Sequence, residues 1–152
     1  MGMGHVPAGP VRQEGQGDDL PRRQHRRAGA VLPDLSGLAR DRARLGALGE
    51  EVAARFLAGR GGVVVARNVE VGGGEIDLVV RWADGYAAVE VRTVGPHSGA
   101  EDPLDRITEQ KMTRVARLAR LLASRYGPMR VDFVGVGIGF ERVTVRWLGD
   151  LG

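Results

Sequence analysis

The sequence predicts an α/β domain over residues 41–152, built as one mixed β-sheet flanked by helices in the order αβββαββ. Three observations lead there. Two segments repeat apolar residues at three- and four-residue steps, the helical period. Five short runs rich in Val, Ile, Phe and Trp read as strands, and Gly, Pro or Asp-Gly breaks separate them. The chain of 152 residues, 43% hydrophobic and 27% charged, has the length and balance of one globular domain with a tail.

From about Asp41 the spacing of Leu45, Leu48, Val52, Phe56 and Leu57 predicts a first helix, and Gly59, Gly61 and Gly62 end it. Val63 to Glu70 is a first strand, followed by the turn Gly72-Gly73-Gly74. Glu75 to Trp82 and Tyr86 to Val94 are the next two, joined by Ala83-Asp84-Gly85, so the three form a meander. After a loop through Gly95–Pro103, the positions of Leu104, Ile107, Val115, Leu118, Leu121 and Leu122 predict a second helix of about twenty residues, ending near Gly127-Pro128. Val131–Ile138 and Arg142–Leu148 are two further strands.

Residues 1–40 hold scattered Gly and Pro, few large apolar side chains and no periodicity, which predicts a disordered Arg/Gly/Pro-rich tail. Up to Arg44 there are eight arginines and five acidic residues; from Leu45 on, fourteen basic residues balance fourteen acidic ones. The net charge of +3 therefore belongs to the N-terminal segment, where Arg22, Arg23, Arg26 and Arg27 could touch phosphates without base preference. The absence of cysteine excludes disulfides and thiolate metal sites and points to the cytoplasm. Neither an 18-residue apolar stretch nor the apolar core of a secretory signal occurs, so no membrane partner is expected.

Two carboxylates interrupt strands that otherwise read as core: Asp77 within Ile76-Asp77-Leu78-Val79-Val80, and Glu90 within Ala88-Val89-Glu90-Val91. A charge there is costly unless paired or bound to a metal. By strand alternation Glu75, Asp77 and Val79 would share one face, as would Glu90 and Arg92, and the hairpin would set Asp77 beside Glu90. Two such carboxylates suit a hard cation such as Mg²⁺. They equally suit ion pairs with arginines such as Arg92 or Arg67, and the residues alone leave both readings open. Arg130 and Asp132 read as a charged strand entrance pairing with the second helix, and Trp82, Tyr86 and Trp147 as core or rim.

Together, Gly46-x-x-Gly49-Glu50 with Ala53, then Asn68, Gly74-Glu75-Ile76-Asp77-Leu78, Val89-Glu90-Val91, Gln110-Lys111 and Arg130-Val131-Asp132-Phe133-Val134 resemble the YraN family. These are bacterial proteins classed with the restriction-endonuclease-like, or PD-(D/E)xK, nucleases. The resemblance spans about 105 residues of the chain. It implies a restriction-endonuclease-like fold and a Mg²⁺- or Mn²⁺-dependent activity on nucleic acid, with DNA as partner. Asp77, Glu90 and the carbonyl of Val91 would be metal ligands, Glu50 would reach toward the metal from the first helix, and Lys111 would reach phosphate or the active site. The family pattern Val-Lys-x-Arg reads Val91-Arg92-Thr93-Val94 here, so Arg92 stands where the catalytic lysine is expected. Arginine keeps its proton and cannot act as a base, though its planar fork can hold phosphate. The resemblance thus leaves two alternatives, an active or weakened nuclease or a non-catalytic nucleic-acid-binding or accessory protein on the same scaffold, and the residues alone also allow a protein-interaction domain with no nucleic-acid partner.

Overall fold

The computed structural model describes residues 12–13, 41–98 and 102–149. The predicted tail lies almost wholly outside the described residues. Its one described part, the two-residue strand β1 (Arg12–Gln13), pairs with the last strand of the sheet, an element not expected from the sequence. There follow helix α1 (Arg42–Ala58), strands β2 (Val63–Val71), β3 (Gly74–Trp82) and β4 (Gly85–Val94), a 3₁₀ turn (Pro103–Arg106), helix α2 (Glu109–Tyr126), and strands β5 (Met129–Ile138) and β6 (Val143–Leu148). The sheet runs β1-β6-β5-β4-β3-β2. The meander β2-β3-β4 is antiparallel, β5 lies parallel to β4, and β6 returns antiparallel to β5. A parallel neighbour demands a crossover, and the 3₁₀ turn with α2 supplies it.

Each helix covers one sheet face. Ala53, Ala54 and Leu57 of α1 pack on Leu78, Val80, Val89 and Val134; Val115, Leu118 and Leu122 of α2 pack on Ile76, Val79, Ala88 and Phe133. The near-continuous apolar strands β3, β4 and β5 follow from being covered on both sides. Asp41 caps α1 by accepting from the amides of Ala43 and Arg44. The second helix is shorter than its periodicity suggests. Thr108 accepts from the Lys111 amide and starts α2, while Ile107 is extended, so Leu104 and Ile107 pack on the core from outside the helix.

At Gly49 the first helix presses onto β4. A methyl group added there would overlap the Thr93 side chain, its Cβ included, so no rotamer of Thr93 relieves the contact. Gly46, one turn earlier, has open space. Gly46→Ala is therefore expected to be neutral or to stabilise by up to about 1 kcal/mol through helix propensity. Gly49→Ala is expected to destabilise by about 1–3 kcal/mol through overpacking. Urea unfolding of the two variants checks the contrast.

One departure from regular strand geometry positions the candidate site. Ile76 faces α2 whereas Leu78 faces α1, so the side-chain alternation of β3 breaks at Asp77. Opposite it in β2, between the pairs Arg67–Leu78 and Val69–Ile76, Asn68 adopts a left-handed φ of 49°. Asparagine is the non-glycine residue that tolerates this conformation best. The expectation that Glu75, Asp77 and Val79 share one face is thereby corrected: unbroken alternation does not hold across this kink.

Candidate acidic site at the end of the β3–β4 ladder

The β3–β4 pairing ends at Leu78–Val89. Just beyond it the Asp77 carboxylate takes the place of a main-chain acceptor: the Val91 amide donates to Asp77 Oδ2 at 2.7 Å. In a strand the N–H and C=O of one residue point the same way, so the Val91 carbonyl opens toward Asp77 as well. Glu90, on the α2 side of β4, meets Lys111 from the first turn of α2, with Nζ 3.1 Å from Oε1. Their side chains are only 25% and 15% exposed, so this pair sits well away from the weak, fully solvated class.

Glu50 and Glu75 complete an acidic neighbourhood. With its amide nitrogen turned toward them, Asn68 donates to Glu75 Oε1 at 3.2 Å and to Glu50 Oε2 at 3.3 Å. The kink in β2 thus places one neutral donor between two carboxylates. Burial pushes the Glu50 carboxyl above its usual range, and the charges of Glu75 and Glu90 add to this against the opposing pull of Arg67. Asp77 is affected most: burial first, then the Glu90 charge, raise it to about 7, with smaller contributions from Glu50 and Glu75, while the Val91 hydrogen bond pulls the other way.

This has a consequence for stability. Between about pH 4 and pH 7 the folded protein keeps a proton on Asp77 that the unfolded chain has released. Stability of the metal-free protein should therefore fall as pH rises through that window and stay low above it. Asp77→Asn keeps the acceptor for the Val91 amide and removes the charge. It is expected to stabilise the metal-free protein by a few kcal/mol at pH 8 and by almost nothing at pH 4, read from thermal unfolding at the two pH values.

Among the described residues, the arginine ion pairs envisaged for Asp77 and Glu90 do not form. Arg67 pairs with Glu51 at 2.8 Å, and Glu90 is taken by Lys111. Arg92 is half-buried beside Gly135 of β5, where Pro103 and Leu104 of the 3₁₀ turn cover the sheet; its Nε is buried without a hydrogen-bond partner. The proximity of Asp77 and Glu90 suits a hard cation, and their oxygens with the Val91 carbonyl form the available donor set. Among the described residues no three His, Cys, Asp or Glu side chains form a ready-made cage, so Glu50 borders the pair without closing one.

Other residues singled out in the sequence lie elsewhere. Asp132 is fully buried and pairs with Arg130 at 3.2 Å, not with the second helix, and accepts from the Trp147 indole at 3.2 Å. The charged entrance is thus satisfied within the sheet, where α2 does not reach. Trp82 and Trp147 stack at 5.3 Å within the core layer under α1, and Tyr86 packs with Tyr126. The sequence reading missed the positioning role of Asn68; an asparagine inside a valine-rich strand was its signal.

Among the described residues no helix is long and apolar enough to cross a membrane. The chain is 44% identical to a UPF0102 protein of Clavibacter michiganensis over 96 residues, covering 60% of this chain and 80% of that one. It is 45% identical to one of Nocardia farcinica over 100 residues, covering 63% and 78%. A UPF0102 protein of Roseiflexus castenholzii is 39% identical over 112 residues, covering 68% and 87%. Among solved structures it is similar to SfsA of Pyrococcus furiosus in complex with Ca²⁺, with a TM-score of 0.34 and 12% identity over 75% of this chain and 64% of that one. That likeness is too distant to support a reading of function. The YraN resemblance seen in the motifs points to this same family. The model of the uncharacterised protein family UPF0102 matches residues 49–136, the span that holds Asp77, Glu90 and Lys111, and the chain belongs to that family.

Proposed function

We propose that this protein is a divalent-metal-dependent nuclease of restriction-endonuclease-like type that hydrolyses phosphodiester bonds in DNA. The observation that supports this most is the pairing of Asp77 and Glu90 where the β3–β4 ladder ends, with Asp77 raised to about 7 by burial and by the Glu90 charge, and with the chain's one lysine on Glu90. Asp77, Glu90 and the Val91 carbonyl would hold Mg²⁺ or Mn²⁺, with Glu50 at its border. When bound, such an ion supplies charge to neutralise the phosphodiester as it reacts.

The chain's own groups do the rest. The Val91 amide fixes one Asp77 oxygen in place. Lys111 brings an ammonium into the site from α2, where the family pattern would put one at Arg92; three rotatable donors suit it to a phosphate oxygen or to orienting a water. Arg92 keeps its charge at every working pH and serves as an electrostatic neighbour, not as a base.

A second reading, a non-catalytic nucleic-acid-binding protein on this scaffold, is favoured by the Lys111–Glu90 ion pair, which already neutralises one of the two carboxylates. Incubating the full chain with single-stranded, duplex and branched DNA separates them. Cleavage that requires Mg²⁺ or Mn²⁺ supports the nuclease; binding of DNA with no cleavage under either ion supports the second reading.

A further inference from the structure

We propose that the groove between α2 and the glycine turn of the β2–β3 hairpin is a track for the phosphate backbone of the nucleic acid, leading away from the acidic site. It extends the proposed function, and depends on that reading only for which end of the track meets the reaction. Helix α2 carries Lys111, Arg114, Arg117, Arg120 and Arg125 against Glu109 alone. From Leu45 onward the rest of the chain holds nine basic residues against thirteen acidic ones, so this helix concentrates the positive charge of a neutral domain.

The cations are ordered along one flank. Lys111 meets Glu90; Arg114 lies beside Gly74; Arg117 donates to the Gly72 carbonyl at 3.3 Å from both of its terminal nitrogens. Three-residue steps on a helix advance about 4.5 Å each, so the row from Lys111 to Arg117 covers about 9 Å, the length of two to three phosphates of a B-form strand. Arg114 and Arg117 are exposed, and among the described residues neither has a carboxylate within ion-pair distance. By contrast Arg55, Arg67, Arg130 and Arg146 are each paired with an acidic side chain.

On the hairpin side Gly72 and Gly74 lie directly against α2, the first on Leu121 and Arg117 and the second on Leu118, and only Gly73 opens outward. Gly72 and Gly73 adopt φ of 56° and 76° in the hairpin turn, and beside Gly73 there is only open space. The resulting open groove of about 520 Å³ runs between this turn and Arg114. Glu70 and Glu75 line the same groove, so the anion's contacts fall to Arg114 and to Arg117 beside it on α2. Guanidinium groups suit this role, since their planar forks match phosphate oxygens without reading bases.

Fluorescence anisotropy of a short labelled DNA, single-stranded and duplex, titrated with the full chain in EDTA over a KCl series, tests the track without requiring cleavage. Arg114→Gln/Arg117→Gln is expected to weaken binding at least tenfold at low salt. Its log–log salt slope should be shallower by about 1.4 on single strands and about 1.8 on duplex, two phosphates' worth. Arg114→Gln alone, which disturbs no hydrogen bond, should lose about half of that. Arg42→Gln/Arg81→Gln removes the same charge from exposed sites elsewhere and should leave the slope unchanged. An unaltered slope in the α2 variants, an equal loss in the control pair, or no DNA binding by the native chain would overturn the track. DNA cleavage that persists while the α2 variants bind normally would discard the track and leave the nuclease reading standing; the expected slopes with no cleavage under any metal would do the reverse.

Discussion

Lys111→Met is expected to lower metal-dependent DNA cleavage by a factor on the order of 10²–10³, the loss typical of one preorganised charged or hydrogen-bonding group in an active site. Arg92→Lys, by contrast, should change the rate by only a few-fold. The contrast follows from where the two cations lie. Lys111 places its ammonium 3.1 Å from Glu90, inside the acidic neighbourhood, whereas Arg92 turns toward the 3₁₀ turn and Gly135, and among the described residues pairs with neither Asp77 nor Glu90. Methionine preserves the length and packing of the lysine stem, so the fold should survive. Single-turnover cleavage with saturating Mn²⁺ reads both variants. A strong gain for Arg92→Lys with no loss for Lys111→Met would show that the strand position, and not the helix, supplies the working cation.

The second large effect concerns the carboxylates. Asp77→Asn and Glu90→Gln should each reduce cleavage beyond the roughly 10–100-fold that outer-sphere changes cost in metal sites, because each removes a direct oxygen donor. The two variants should nonetheless differ when metal is absent. Asp77→Asn relieves a charge that burial and Glu90 oppose, and so stabilises the protein at pH 8. Glu90→Gln leaves the Lys111 ammonium without its counter-ion in a mostly buried place, and should destabilise it. Opposite signs on stability combined with the same sign on activity would separate a functional role from a structural one.

Much of this was legible in the sequence. The two helices, the β2–β3–β4 meander and the β5–β6 pair follow from periodicity and from Gly, Pro and Asp-Gly breaks, and the acidic interruptions at Asp77 and Glu90 mark the candidate site. What the sequence did not disclose depends on contacts between distant segments. The left-handed Asn68 breaks strand alternation locally, and no periodic pattern records such a break. Whether Glu90 pairs with Arg92, two residues away on the same strand face, or with Lys111, brought in by the α2 crossover, is decided by tertiary packing. The burial of Asp132 beneath Trp147 likewise requires β5 and β6 to be neighbours. The 3₁₀ turn hid inside the second helical pattern because Leu104 and Ile107 keep the helical spacing while serving the core from an irregular segment.

The central claim, that Asp77 and Glu90 form a divalent-cation site, is tested most directly by calorimetric titration of the metal-free full chain with Mn²⁺ at pH 6.5, below the raised Asp77 pKa, compared with Asp77→Asn and Glu90→Gln. The account predicts saturable binding to the native chain, accompanied by proton release that scales with buffer ionisation enthalpy as Asp77 gives up its proton, and loss of binding in both variants. Binding that persists undiminished in both variants, or no binding to the native chain, would contradict it.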